Sequence, residues 1–93
     1  MRTTLRGFTP EQALHIATTF CHYFPAQLEH LSFLSAIAAV STSSFSGLSA
    51  YRSPTTQAQA VYKATVKLQP LSAHNEEFGA ILRDLCLRLN EES

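Results

Sequence analysis

"HYFPAQLEHLSFLSAIAAV", residues 22–40, decides how this chain folds. A helical stripe leads into it, and Pro25 falls at the end of that stripe. Proline has no amide hydrogen, and its ring pushes the preceding residue out of the helical region. A helix arriving from residue 10 therefore ends or kinks near Tyr23 or Phe24. If the chain only kinks, two long arms fold back as an antiparallel helical hairpin with proline-interrupted arms. If it turns, a compact four-helix bundle results. Both are all-α.

Upstream, "FTPEQ" (residues 8–12) is a strong helix start. Thr9 takes the N-cap, Pro10 the first helical position and Gln12 the capping-box position, with Phe8 as the staple residue. Ala13, Ile16, Ala17, Phe20, Cys21 and Phe24 then recur at helical spacing. Glu11, His15, Thr18 and His22 fall on the other side.

Downstream of Pro25 the pattern changes. Leu28, Leu31, Leu34 and Ala38 make one apolar stripe, and Phe33, Ile37 and Val40 make a second, nearly opposite. A helix apolar on two sides is buried on two sides. Leu28, Leu31, Phe33, Leu34, Ile37 and Val40 are therefore the candidate interface, facing either an internal core or a second chain.

Residues 41–53, "STSSFSGLSAYRS", are rich in hydroxyls and read as the main loop, with Phe45 and Gly47 as its turn motif. Gly47 supplies turn geometry that a Cβ disfavours, and Phe45 caps the apolar seam. Ser53-Pro54 repeats the start logic of the first helix. Ala58, Val61, Tyr62, Thr65 and Leu68 form the inner stripe that follows, with Lys63 and Lys67 facing out. Pro70 breaks that segment, and Ser72 is the expected cap of the last helix. Phe78, Ile81, Leu82, Leu85 and Leu89 are its stripe, with Cys86 at the edge. The expected organisation is one domain over 1–93, with helical segments at about 10–23, 26–40, 54–69 and 72–90. Folding back about residue 47 pairs residues whose numbers sum to about 94. Pro25 and Pro70 sum to 95, so the two breaks should lie side by side.

Composition narrows the function classes. Seven basic and seven acidic residues balance to zero, and no segment is strongly basic, so no nucleic-acid partner is expected. With 45% apolar and 15% charged residues the chain is too apolar for intrinsic disorder. Its longest apolar run, residues 31–40, falls well short of the roughly 20 residues of a membrane span. No apolar run follows the N-terminal "MRTTLRG", so a Sec signal is not expected.

The reactive side chains do not assemble into known chemistry. His15 and His22 share a face at i, i+7, which separates their backbones by roughly 10 Å along the axis. One zinc ion takes ligands at about 2 Å, so these two do not share one. His30 and His74 have no ligand neighbour in sequence. Cys21 and Cys86 sum to 107, a mismatch on the order of 10 Å across a folded-back chain and beyond disulfide reach. Both read as free thiols acting as small hydrophobes. Cys21-His22 are adjacent, but helix neighbours point about 100° apart and do not meet. The expectation is a non-enzyme with no cofactor and no metal.

The central "SSFSGLSAY" (residues 43–51), with Phe45-Ser46-Gly47 at the meeting of two helical halves, resembles the WXG-type family of small type VII secretion substrates. The entry "GFTPEQALHIA" (residues 7–17) is similar to the first-helix entry of that family. The resemblance implies a helical hairpin that dimerises through its apolar faces, as a homodimer or with a small helical partner. It also implies export without a Sec signal. Phe45 stands where the family has Trp, and Tyr62 is followed four residues later by Val66 instead of an acid, so a partner would carry the export signal. Residues 13–40 resemble, more loosely, part of a small actinobacterial helical family found beside molybdopterin-guanine dinucleotide genes. That resemblance implies a cytoplasmic accessory domain binding a protein or small ligand.

Overall fold

In a computed structural model, which describes residues 5–45, 48–49 and 51–91, four helices carry the chain. They are α1 (Pro10–Tyr23), α2 (Leu31–Ser41), α3 (Pro54–Leu68) and α4 (Asn75–Leu89). A two-stranded hairpin, β1 (Ser44–Phe45) and β2 (Leu48–Ser49), joins α2 to α3, with Phe45 paired to Leu48. The main loop therefore contains a small strand pair. Gly47 lies outside the described residues, as does the packing of the Phe45 side chain.

The helix starts at Thr9 and Ser53 follow the expected chemistry. Thr9 Oγ1 accepts the Gln12 amide at 3.1 Å, and Gln12 Oε1 accepts the Thr9 amide at 2.8 Å, closing a capping box. Ser53 Oγ accepts the Thr56 amide at 3.2 Å, ahead of Pro54. Phe8 is fully buried and joins the core that also holds Ala13.

Two starts differ from expectation, for one shared reason. α2 begins at Leu31, five residues later than residue 26, and α4 begins at Asn75, three later than residue 72. The intervening segments pair with each other. Leu28 bridges Leu71, the Ser72 amide donates to the Gln27 carbonyl at 2.8 Å, and the Glu29 and His30 amides donate to the Pro70 carbonyl at 2.9 and 3.1 Å. Ser72 does not cap α4: its hydroxyl accepts the Gln27 amide at 2.9 Å. α4 starts behind His74, whose backbone is left-handed (φ 60°) and whose side chain makes no capping bond. Asn75 ties the turn instead, exchanging two hydrogen bonds with the Leu71 backbone. The two proline breaks do lie side by side, in a register whose numbers sum to 99.

These paired turns make the fold a bundle and not a kinked hairpin. Each helix packs on the next in sequence, and α3 with α4 is the most extensive pair. The Cα radius of gyration is 12.7 Å, close to the ~12 Å of a compact chain of this length. Gly79 lets α3 and α4 approach closely, since a Cβ there would stand 3.1 Å from Tyr62 and 3.2 Å from Thr65. The core is drawn from all four helices, with Phe8, Leu34, Ile37, Val61, Phe78 and Leu82 without exposed surface.

The segment before α1 is also built in. Gly7 lies against Ser41, and Arg6 pairs with the Asn90 side chain through main-chain atoms. Gln57, wholly buried on α3, donates to the carbonyls of Arg6 and Ser41 at 2.7 and 2.8 Å. Among the described residues every buried side-chain polar atom has a partner, as burial requires.

Candidate protein-interaction surface

α1 and α4 run antiparallel along one side of the bundle and touch only sparsely. Three adjoining grooves mark the seam between them. One, of about 390 Å³, is lined by Ile16, Phe20, Tyr23, Phe24 and Ile81, with His15 and Thr19. The next runs beside Glu11, Gln12, His15, Ile16, Leu85 and Leu89. The third is bounded by Ile16, Ile81, Asp84, Leu85 and Arg88. Ile16 belongs to all three, so they form one continuous apolar trough.

Its floor follows from how the α4 stripe divides. Phe78, Leu82 and Cys86 point into the core, whereas Ile81 is 41% exposed and Leu85 and Leu89 are half-buried. Cys86, expected at the stripe's edge, is at its centre. Two interfaces share one broad stripe: the inner rows meet α3, and the outer row faces the seam. On α1, Phe20 and Phe24 stack with ring centroids 4.1 Å apart, and Phe20 tilts against Phe78 at 5.3 Å. This gives the trough a rigid aromatic end. The breadth of the α4 pattern is the sequence signal that could have located the trough. Nothing local separates its inner row from its outer one.

The residues singled out on α2 are distributed differently. Leu34 and Ile37 share the inward face and have no exposed surface, so the two stripes are not opposite faces of a free helix. Phe33 and Val40 flank that face half-buried, and Leu28 lies before the helix in the bridge to Leu71. Leu31, at 57% exposure, is the one of the six that is more exposed than buried.

A second, polar depression lies over the α3–α4 turn, beside Gln69, Ser72, His74, Asn75, Glu76 and Glu77. Gln69 and His74 both have positive φ there, and His74 Nδ1 is 3.5 Å from Glu77 Oε2. Among the described residues no three His, Cys, Asp or Glu side chains converge to hold a metal. Both thiols are free: Cys21 is half-buried, and burial pushes the Cys86 thiol up to about 11, so it stays protonated at neutral pH. No described helix is long and apolar enough to cross a membrane. Compared with known proteins, the chain matches no family model, no curated protein and no solved structure.

Proposed function

We propose that this chain is a non-enzymatic protein-interaction module that pairs with a second copy of itself through the α1–α4 trough. The observation that carries this reading is the trough: a seam where Ile16, Phe24, Ile81, Leu85 and Leu89 stay partly exposed beside the buried Phe20. Amphipathic helices bind by laying apolar anchors at i, i+4 and i+7 into such grooves. The rim favours a second copy as occupant. It bears both signs of charge, with Glu11 and Asp84 acidic and Arg88 basic, on a chain of zero net charge. A two-fold contact sets a surface against itself, and mixed charge lets acids of one copy face bases of the other.

Sedimentation velocity from micromolar to millimolar concentration tests this. A dimer is expected for the wild type, and a folded monomer for Ile81→Glu. A wild type that is monomeric throughout would overturn the homodimer.

The sharper form of this reading is a type VII secretion substrate or partner, supported by the sequence resemblance around Phe45-Ser46-Gly47 alone, since the bundle departs from the hairpin that the resemblance implies. It places the chain in the cytoplasm before export without a Sec signal. Its test is the gene neighbourhood: a second helical protein of similar length near a secretion ATPase is expected, and the absence of both removes the reading. A cytoplasmic accessory role is the remaining alternative, which a monomer with no such neighbour would favour.

A further inference from the structure

The end of the bundle where Ser41, Gln57, Cys86 and Asn90 converge holds the segment Arg6-Gly7-Phe8 as a receptor holds a peptide. We propose that it is a binding slot for an extended peptide carrying Gly followed by an aromatic residue, occupied in cis by the chain's own N-terminal strap. None of these four residues lines the α1–α4 trough, so the slot does not depend on the dimer reading.

Recognition is through the strap's main chain. The Arg6 amide donates to Asn90 Oδ1 at 2.9 Å. The Arg6 carbonyl accepts from Gln57 Nε2 at 2.7 Å and from Asn90 Nδ2 at 3.2 Å. The Phe8 amide donates to Ser41 Oγ at 3.0 Å. Asn90 thus pairs with Arg6 as a neighbouring strand does, one donor and one acceptor each way. Two side-chain requirements add selectivity. At residue 7 only glycine fits, because a Cβ would stand 2.5 Å from the Ser41 carbonyl oxygen and 2.6 Å from its hydroxyl. At residue 8 the Phe ring is fully buried in the core.

The slot is built without the strap. Ser41 Oγ also donates to the Ala38 carbonyl at 2.7 Å, and Gln57 Nε2 to the Ser41 carbonyl at 2.8 Å. Asn90 Nδ2 reaches both Gln57 Oε1 at 3.1 Å and the Cys86 carbonyl at 2.8 Å. Removing the strap therefore leaves these receptor side chains oriented by bonds among themselves, on the closely packed α3–α4 pair and the end of α2. The strap joins α1 at the extended N-cap Thr9, and Phe8 is its one fully buried side chain. Opening of the strap alone withdraws Phe8 from the core, and the slot is vacated only if this costs less than global unfolding.

Two measurements on the full chain test the proposal. In native-state hydrogen exchange, the Arg6 and Phe8 amides should exchange together, at least about tenfold faster than the α3 and α4 amides buried in the core. Exchange at the rate of those core amides would show that the strap never opens alone and would overturn the proposal. In fluorescence anisotropy, the probe is a labelled peptide Leu-Arg-Gly-Phe-Thr. An intramolecular competitor lowers apparent affinity by the fraction of open slots. Gly7→Val, which expels the strap, should therefore bind the peptide at least about tenfold tighter than wild type. Adding Asn90→Leu should abolish that gain, and a peptide with Val in place of Gly should not bind. A folded Gly7→Val chain that ignores the peptide, or binds both peptides equally, would overturn the slot. So would loss of the helical circular dichroism in Gly7→Val, because it would make the strap integral to the fold.

Discussion

α4 has two neighbours and treats them differently. Toward α3 it presents Gly79, which admits Tyr62 and Thr65 to near contact, within a buried row that also holds Leu82 and Cys86. Against α1 it presents Ile81, Leu85 and Leu89, which remain partly exposed over an open trough. Both surfaces are apolar. The difference is steric: a residue without a side chain lets α3 close onto α4, whereas α1 and α4, with Ile16, Ile81 and Leu85 lining the groove between them, touch only sparsely. An apolar stripe thus becomes core on one flank and available surface on the other.

Phe78→Ala should have the largest effect, a loss of about 3–5 kcal/mol in denaturant unfolding, because the ring is fully buried in the core and packs on Phe20 of α1 beneath the trough. Gly79→Leu comes next. Overpacking costs about 1–3 kcal/mol, and Tyr62 and Thr65 stand where the new side chain must go. A Gly79→Leu chain as stable as wild type would show that close approach is not what distinguishes this flank.

Cys86 offers a smaller, pH-dependent probe of the same interface. Its folded value of about 11 exceeds the ordinary 9.0, so the unfolded chain ionises first. Cys86 therefore contributes a fall in stability as pH rises from about 9 to about 11, and no slope well below 9. The wild type should lose more stability than Cys86→Ala over that window in parallel denaturant titrations. Equal slopes would mean that the thiol reaches solvent.

On the open side, Ile81→Glu should change monomer stability least, within about 0.5 kcal/mol, because the position is already 41% exposed. Measured at concentrations where the chain is monomeric, a loss comparable to Phe78→Ala would mean that the trough is closed within the monomer.

Local chemistry was readable wherever the interacting groups are neighbours in sequence. Thr9 with Gln12, and Ser53 with Thr56, need only three residues of context, and both helix starts follow. The starts of α2 and α4 were not readable, because Gln27 and Ser72 satisfy each other across 45 positions. Ser72 has the chemistry of a cap and is used elsewhere. Ile37 illustrates the same limit at the level of faces. Periodicity placed it on a second stripe with Phe33 and Val40, nearly opposite Leu34, but α2 turns it inward beside Leu34. Gln57 and Asn90 gave no sign of their roles, since nothing in the local pattern identifies a buried amide aimed at a distant main chain.

By itself the sequence determined that the chain is all-α, where its first and third helices begin, and that the chain breaks at Pro25 and Pro70. Those outcomes rest on backbone stereochemistry, capping and helical periodicity, which act within a few residues. Tertiary structure alone decided that the breaks are turns, that four helices pack as a bundle, and that α4 closes on α3 while staying open toward α1. These depend on which distant amide meets which carbonyl and on how closely two helices approach at Gly79.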